Sequence, residues 1–527
     1  MPSSAASAAT VSSIPGESPR PVGVATLARH AATIWPPAVV VAALGTWLCF
    51  NASPGLNWAI WTFAAALGLV WVVRRTHGRV GFPLGVVLVV ACALAACMAI
   101  TADFDFAPIV LVGVALLLAI GLALAEGVEA GSIGAVSFVV IPVTGAFRSL
   151  REAARRLGEL ASLPRSGSEQ TQARVRGALL AIPVVGVLGL LLAGADPVLA
   201  RLRDDVFALG KDQMLVPRAI FFAGLGALTV GSYGLALRRS AGGPAARSES
   251  RLTLGDTERF MVLASVSALF ALFLGLQVSY FFGNLPALAG SGVTYAEYAR
   301  NGFGELTFAA TAATVLIVWL DHHAERGKGA ARARAAGLVL IFLVQLLLDS
   351  AYHRVSLYEA AYGYTAARLY ARVYMMIVSV ALIALGIELW TTVDVARLVR
   401  RVGLLGVAAV IALSCWNYEA WIVRKNVDRF VAPHYGQLDT DYLLALSPNA
   451  VPEIIRELPR IPGAYRDQLR VGLEERYGTP RRARTEWYEW SWRAGQARHA
   501  VASIGISAFG NSVQPPVEHR RETAPPR

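Results

Sequence analysis

Residues 107–125 read APIVLVGVALLLAIGLALA, nineteen consecutive residues without a charged side chain. An α-helix needs about 20 apolar residues to cross the hydrocarbon core of a bilayer. Because lipid offers no hydrogen-bond partners to the backbone, such a stretch must satisfy its own N–H and C=O groups as a helix. The stretch therefore predicts a transmembrane helix and sets the fold class.

Apolar runs of similar length lie on both sides of this stretch. Hydrophobic residues make up 55% of the chain and charged residues only 16%, with a mean hydropathy of +0.51. Soluble domains carry roughly 25% charged residues, so lipid must solvate much of this surface. We predict an all-α fold, a polytopic integral membrane helical bundle of about 11 transmembrane helices, whose other spans are 33–50, 55–73, 80–101, 177–195, 217–237, 260–283, 303–320, 335–350, 366–390 and 402–417.

One further apolar stretch, at 132–147, has different flanks from the others. Acidic Glu126 and Glu129 precede it, and a strongly basic segment follows it. We interpret this stretch as re-entrant or interfacial rather than as a full crossing.

The positions of the basic residues predict the orientation. Lys and Arg near a span resist translocation, so cytoplasmic connections accumulate them. With the N-terminus in the cytoplasm, the connections on that side hold 24 Arg or Lys and the opposite ones hold eight. We predict a multi-pass protein of the cell inner (plasma) membrane, with a cytoplasmic N-terminus and an extracytoplasmic C-terminus.

The same patterns divide the chain into parts. Apolar residues at three- and four-residue spacing predict short helices after the last span, while Ser, Ala and Pro dominate the two termini. We predict a disordered cytoplasmic leader at 1–31, transmembrane helices and a basic cytoplasmic segment at 32–175, a transmembrane core at 176–417, a small extracytoplasmic helical domain at 418–510 and a disordered tail at 511–527.

The net charge of +12 does not indicate nucleic-acid binding. Most of the excess lies in the predicted cytoplasmic connections, and the segment after the last span balances 16 basic residues with 13 acidic ones. A phosphate backbone requires a concentrated basic surface. The expected partner is therefore the lipid bilayer, with no nucleic acid.

Motifs of catalysis and metal binding are missing from the sequence. It contains no GxxxxGK[ST], GxSxG or HExxH string, and its four cysteines form no CxxC pair. His322 and His323 beside Asp321 are typical of a solvated helix end rather than a metal site. We predict no cofactor and no metal, and we assign no catalytic residue, although Asp349 with His353 keeps an acid–base enzyme open as a third hypothesis.

Polar side chains concentrate at the predicted outer ends of the helices in the second half. Ionisable groups at membrane depth normally face a protein interior or a wet cavity, so this concentration marks a candidate working surface. Its members are Asp196, Gln277, Tyr280, Asn284, Tyr295, Glu297, Tyr298, Arg300, Glu305, Asp349, His353, Arg354, Glu359, Tyr362, Arg368, Arg372, Asn417 and Glu419.

Helical spacing selects a candidate site among them. Asp349 and His353 are four residues apart at the end of one span, and Arg368 and Arg372 are four apart at the start of the next. The short connection makes the two ends neighbours. One interpretation is that ion pairs and an interfacial tyrosine belt only hold helix ends together; the other is an outward-facing ligand-binding pocket formed by Arg368, Arg372, Glu359, Asp349, His353, Glu305, Tyr358 and Tyr362.

Several strings also carry a family resemblance. They are YAEYARNGFGEL at 295–306, LDSAYHRVSLYEAAYGYTAARLYARV at 348–373, NYEAWIVRKNVDRF at 417–430, LDTDYLLALSPNAVPEI at 438–454 and ADP at 195–197. Together the strings resemble the bacterial membrane proteins of domain of unknown function 4173, with the related 4153 group as the alternative, over roughly 176–500. The resemblance implies a polytopic membrane protein without an established activity.

Two functions are compatible with these features. The first is binding or transport of a polar or anionic envelope molecule, free or lipid-linked, at the Arg, carboxylate and Tyr pocket. The alternative is a non-catalytic membrane sensor or scaffold that binds a protein partner through residues 418–510.

Overall fold

The computed structural model describes residues 24–103, 105–133, 135–161, 214–238, 254–282, 303–324, 330–390, 394–432, 437–477 and 486–505. Apart from one isolated bridge between Leu254 and Ala324, this part of the chain contains helices and no strand. The all-α fold class is confirmed.

Sixteen α-helices are described. In chain order they are α1 Val24–Cys49, α2 Leu56–His77, α3 Phe82–Ala96, α4 Ala107–Ala125, α5 Ala135–Ala161, α6 Leu215–Leu237, α7 Asp256–Phe282, α8 Phe303–His322, α9 Ala330–Tyr362, α10 Ala366–Trp390, α11 Val395–Cys415, α12 Tyr418–Val431, α13 Thr440–Ala445, α14 Val451–Glu457, α15 Gly463–Tyr477 and α16 Trp492–Ser503. Short 3-10 turns at Cys97–Ala99, Ala130–Ser132, Pro448–Ala450, Leu458–Arg460 and Trp487–Glu489 complete the described elements.

Ten of these helices are long and apolar enough to cross a membrane, namely α1 to α4 and α6 to α11. Each corresponds to one predicted span. The remaining predicted span, 177–195, lies outside the described residues, as does the tail at 511–527.

The first helix begins earlier than its apolar run. It starts at Val24, inside the predicted disordered leader, and residues 1–23 of that leader lie outside the described part. Arg29 and His30 interrupt the apolar run, but neither residue interrupts a helix. The helix therefore extends beyond the part that is long and apolar enough to span a membrane, Arg29–Cys49.

Helix α5 contains the stretch with unusual flanks and is amphipathic, not one of the ten membrane-crossing candidates. Its second half packs against α6 so closely that a Cβ on Gly231 would lie 1.8 Å from the backbone oxygen of Ser149. The hydroxyls of Ser149 and Ser232 are 3.1 Å apart at the same crossing. The contact holds the second half of α5 against α6.

The helix ends define two faces of the bundle. At the C-terminal face, which carries residues 418–505, Gly55 before α2 lies against the backbone of Glu489, and Leu56 N–H donates to Trp490 O at 3.0 Å. At the opposite face, His77 at the end of α2 contacts Ala236 O at 3.0 Å near the end of α6.

Basic residues at the opposite face pair with buried carboxylates. Glu388 at the end of α10 is 2% exposed and accepts from Arg401 of α11 at 2.9 Å. Glu152 of α5, 3% exposed, accepts from Arg156 at 2.9 Å and from Arg238 after α6 at 3.1 Å. The Glu388–Arg401 and Glu152–Arg238 pairs connect neighbouring helices where the sequence concentrates its arginines, and Arg156 pairs with Glu152 within α5.

The short C-terminal helices share one apolar core with the bundle. Val110 of α4, Leu369 of α10 and Leu413 of α11 belong to the same buried cluster as Ile422 of α12 and Val501 of α16. Two other cores hold α1 to α4 with α6, and α7 to α11. Burial of apolar surface therefore fixes residues 418–505 onto the ends of α3, α4, α10 and α11.

Candidate functional site

A tight hairpin between α9 and α10 positions the candidate arginines. The helix α9 ends at Tyr362, and Gly363 adopts a φ of +83°, the left-handed conformation that glycine favours. Its N–H donates to Glu359 O at 2.8 Å and closes the helix. A Cβ at Gly363 would also lie 2.5 Å from Asn426 Oδ1, so the turn requires glycine for conformation and for space.

Arg372 is held by several partners from α9. It forms an ion pair with Glu359, which is 2% exposed, and donates to Ser356 Oγ at 2.9 Å and Tyr352 OH at 3.1 Å. The guanidinium carbon also lies 4.7 Å from the centroid of the Tyr352 ring. Most of the charge of Arg372 is therefore neutralised inside the protein.

Arg368, one turn earlier, has different surroundings. Its guanidinium carbon lies 4.2 Å from the centroid of the Tyr358 ring, and its Nη1 donates to Gly363 O. The rings of Tyr358 and Tyr362 are 4.8 Å apart and extend this aromatic surface. In the part of the chain that the structure describes, Arg368 forms no ion pair. We call Tyr358, Glu359, Tyr362, Arg368 and Arg372 the hairpin site.

The C-terminal helices brace this hairpin. Asn426 of α12 accepts from Tyr364 N at 2.8 Å and donates to Tyr364 O at 2.9 Å. Arg429 Nε donates to Ala360 O at 2.9 Å, and Tyr442 OH accepts from Ala366 N at 2.9 Å. These bonds connect the end of α9 and the turn to α12 and α13.

Three of the predicted site residues are not part of the hairpin site. Glu305 on α8 and Asp349 and His353 on α9 have exposed side chains, and neither of those two carboxylates forms a described ion pair with Arg368 or Arg372. The pairing with Arg372 is made by Glu359 alone. Of the wider polar set, Asp196, Asn284, Tyr295, Glu297, Tyr298 and Arg300 lie outside the described residues.

A second polar cluster, largely missed in the sequence, lies where the α3–α4 loop meets the C-terminal helices. Asn449, 1% exposed, accepts from Ala102 N and donates to Thr101 Oγ1, both at 2.9 Å. Asn417 Nδ2 donates to Asn449 O at 2.9 Å, and Arg493 N donates to Ile100 O at 3.2 Å. These bonds satisfy a loop that would otherwise be buried with unpaired backbone groups.

Asp103 anchors this cluster to the bundle. Its Oδ1 accepts from the backbone N–H groups of Asp105 at 2.9 Å and Phe106 at 3.1 Å, just before α4. Its Oδ2 accepts from Tyr418 OH and, at 3.4 Å, from Tyr370 OH, and the two phenol oxygens are 2.5 Å apart. Burial raises the pKa of the Asp103 carboxyl, and these hydrogen bonds oppose the increase.

Glu419 is the second buried carboxyl of the cluster. It is 4% exposed and accepts from Ser447 N at 3.0 Å and from the Ser447 hydroxyl. Burial, followed by the charge of Asp103, raises the pKa of Glu419 to about 7. Arg493, 6% exposed, donates from Nη2 to Cys415 O at 2.7 Å. We call the set Thr101, Asp103, Tyr370, Tyr418, Glu419, Ser447, Asn449 and Arg493 the buried junction.

Part of this junction had a signal in the sequence. Asn417 and Glu419 belong to the polar residues at the predicted outer helix ends, and Asp103 is an acid in a short loop between two strongly apolar spans. Their convergence had no local signal, because Asn449 and Thr101 are 348 residues apart. Among the described residues, no group of three or more His, Cys, Asp or Glu side chains is arranged to hold a metal ion.

Comparison with known proteins gives one match. The family described as "Domain of unknown function (DUF4153)" matches residues 88–457, more than half of the chain. The chain belongs to the DUF4153 family. No curated protein and no solved structure matches it significantly.

The DUF4153 match refines the resemblance found in the sequence. The family that matches is the 4153 group, which the strings suggested as the alternative. The 4173 type is not shown. The matched range begins at residue 88 in α3 rather than near 176, so part of α3 and the whole of α4 belong to it. The hairpin site lies inside the DUF4153 range, as does the buried junction except for Arg493.

Proposed function

We propose that this DUF4153 protein binds a polar, anionic molecule of the cell envelope at the hairpin site and transports it across or within the inner membrane. The observation that carries the proposal is the state of Arg368. Its guanidinium lies on an aromatic face, donates to one backbone carbonyl and forms no ion pair in the described chain. An anionic group of a ligand fits this unneutralised charge.

The charges around Arg368 support an anion. Arg372 lies on the same hairpin, and Arg429 of α12 reaches the hairpin at Ala360 O. Glu359 is the carboxylate that faces Arg368 and Arg372, and it pairs with Arg372. One carboxylate against two guanidinium groups leaves the hairpin site cationic. Tyr358 and Tyr362 add ring surface and hydroxyl groups, which suit a polar molecule such as a sugar or lipid headgroup.

The proposed orientation places this site outside the cytoplasm. It rests on the 24 basic residues of the predicted cytoplasmic connections against eight on the other side. The C-terminal helices, which brace the hairpin through Asn426 and Tyr442, would then cover part of an outward-facing pocket.

Native mass spectrometry of gently solubilised protein tests the proposal. We expect the wild-type protein to carry a bound anionic molecule, and we expect Arg368→Ala to lose it while still inserting into the membrane. A hydrogen bond to a charged group is worth about 1.5–3 kcal/mol, which corresponds to roughly a 10- to 100-fold loss of affinity.

Arg424→Ala is the matched control for this measurement. Arg424 is an exposed arginine of α12 that pairs with Glu453 at 2.9 Å, away from the hairpin. This variant should retain the wild-type adduct. A wild-type protein without any adduct, or an adduct that persists in the Arg368→Ala, Arg372→Ala double variant, would contradict the proposal.

The buried junction favours a second candidate function, a membrane sensor or scaffold. It connects residues 418–505 to the bundle through hydrogen bonds rather than through apolar packing alone, as a relay between an outer partner and the membrane helices requires. Affinity purification of the full-length protein from crosslinked cells separates the two candidates. A scaffold should retain one protein partner that Arg368→Ala does not release.

A further inference from the structure

The buried junction contains more negative charge than the protein neutralises. Asp103 and Glu419 are 5% and 4% exposed, and they interact through their charges. Arg493 is the buried cation that faces Glu419. An uncompensated charge inside a protein is costly, so one of the two carboxyls gains stability by taking up a proton.

The hydrogen bonds favour Glu419 as the carboxyl that takes the proton. Asp103 accepts from two backbone N–H groups and from the phenol of Tyr418, donors that favour its ionised form. Glu419 accepts from one backbone N–H, that of Ser447, and its other oxygen faces the Ser447 hydroxyl, whose oxygen can accept a hydrogen bond as well as donate one. The protonated carboxyl of Glu419 can therefore donate to Ser447 Oγ.

Arg493 supplies an independent observation at the same place. The residue is 94% buried, and its Nη1 has no hydrogen-bond partner in the structure, whereas its Nη2 donates to Cys415 O. A permanently paired Glu419–Arg493 bridge would satisfy this nitrogen. Its unsatisfied state agrees with a Glu419 that is neutral and bonded to Ser447 instead.

We propose that the buried junction is a proton-binding site, in which Glu419 holds a proton when the C-terminal helices are docked and loses it when they loosen from the bundle. The proton is transferred to and from solvent, with no other reactant. This site is separate from the hairpin site and does not depend on the function proposed for it.

The position of Ser447 links the protonation of Glu419 to the docking of the C-terminal helices. This residue immediately precedes the 3-10 turn Pro448–Ala450, whose Asn449 holds Thr101 and Ala102 of the α3–α4 loop. When Glu419 is ionised, its charge must be stabilised by water or by a cation in place of the proton. The simplest way to admit water is to separate this turn from α12 and from the loop.

The direction of the pH dependence follows from the raised pKa. When a carboxyl has a higher pKa in the folded protein than in the open one, its stabilising contribution is present at low pH and is lost as the pH rises through the folded value. For a change from 4.5 to about 7, the opening equilibrium should increase roughly tenfold between pH 6 and pH 8. The C-terminal helices should therefore dock more tightly in acid.

The phenols and the guanidinium that face Glu419 do not titrate between pH 6 and pH 8, and Asp103 is the other carboxyl among the facing groups. Phenols ionise near pH 10 or above, and a guanidinium stays protonated. These groups are Asp103 of the α3–α4 loop, Tyr370 of α10, Tyr418 of α12, Tyr442 of α13, Tyr477 of α15 and Arg493 of α16.

Hydrogen exchange of the full-length protein, followed by mass spectrometry and corrected for the intrinsic pH dependence, tests the proposal. The amides to follow are Ala102, which donates to Asn449, and Arg493, which donates to Ile100. We expect the wild-type protein to lose about tenfold protection at these amides between pH 6 and pH 8. Glu419→Gln should remove this pH dependence and keep the amides protected at pH 8.

Glu475→Gln is the matched control, because Glu475 is an exposed glutamate of α15. This variant should keep the wild-type pH dependence. Protection that does not change with pH in the wild-type protein would overturn the proposal, as would a Glu419→Gln variant with the wild-type pH profile. Should Glu419→Gln fail to fold, Asp103→Asn provides a second test, because loss of the neighbouring charge should move the wild-type transition to lower pH; an unmoved transition would also overturn it.

Discussion

Asn449 shows how one polar side chain holds distant segments of this protein together. Its amide bonds Thr101 and Ala102 of the α3–α4 loop, and its backbone oxygen accepts from Asn417 at the start of α12. At 1% exposure, none of these groups can exchange its protein partner for bulk water. A buried polar group without a partner loses its hydration and gains nothing in return, so the loss of this side chain should be expensive.

Asn449→Ala should therefore destabilise the protein. It leaves the Ala102 N–H without its acceptor, which costs about 1–3 kcal/mol for a buried group. It also removes one of the two donors to Thr101 Oγ1, a hydrogen bond worth about 1 kcal/mol. We expect a total cost of roughly 2–4 kcal/mol, measured as a lower unfolding midpoint of the protein in detergent. Ser503→Ala, which removes an exposed hydroxyl bond to Ala500, should leave the midpoint unchanged; equal midpoints for the two variants would contradict this prediction.

For individual residues, the sequence predicts the hairpin site better than the buried junction. The four-residue spacing of Arg368 and Arg372 places both on one side of α10, and a short connection brings Glu359 next to them, so local rules suffice. The choice among carboxylates does not follow from spacing, since Asp349 and Glu305 lie on exposed surfaces instead. Asp103 meets Tyr418 only through the packing of distant helices, which helical periodicity does not encode.

At the scale of elements, the apolar runs predict the membrane helices because lipid imposes a length and a composition on each span. The short C-terminal helices also follow their periodicity, as in α12 and α15. Near the C-terminus, Trp487–Glu489 forms a separate 3-10 turn before α16 begins at Trp492. The ring of Trp47 on α1 packs against this turn, a tertiary contact that overrides local helix propensity.

The contact between α5 and α6 makes a prediction for a helix pair. Gly231→Ala should separate the two helices, because its Cβ would lie 1.8 Å from the backbone oxygen of Ser149, which cannot rotate away. The variant should lose the Ser149–Ser232 contact and show a lower unfolding midpoint, with faster hydrogen exchange in α5.

Gly224 of the same helix provides the control. A Cβ there meets nothing within 4 Å, so Gly224→Ala should leave α5 protected and should add up to about 1 kcal/mol of helix propensity. If the two substitutions had the same effect, helix propensity rather than packing would explain it, and α5 would not be held by this contact.

At the scale of the whole molecule, the C-terminal helices and the bundle form one structural unit. They share a core that runs from Val110 of α4 to Val501 of α16, and the hairpin site and the buried junction both lie at the edge of that core. A ligand at Arg368 and a proton at Glu419 would therefore act on the same interface. The two events are coupled if the ligand and the proton each bind the docked and the loosened arrangement of residues 418–505 with different affinity.

We predict that this unit lies on the extracytoplasmic side of the membrane, and every proposal above depends on that side. Single cysteines in a background without the four native ones test it: Gln468→Cys on α15 at the C-terminal face, and Arg79→Cys between α2 and α3 at the opposite face, both at exposed positions. Because basic residues mark the cytoplasmic connections, a membrane-impermeant maleimide added to right-side-out spheroplasts should label residue 468 and not residue 79. Both cysteines should react after permeabilisation, which shows that each thiol is accessible. The reverse pattern would move the hairpin site and the buried junction to the cytosol, where Arg368 would face cytosolic anions and Glu419 would respond to cytosolic pH.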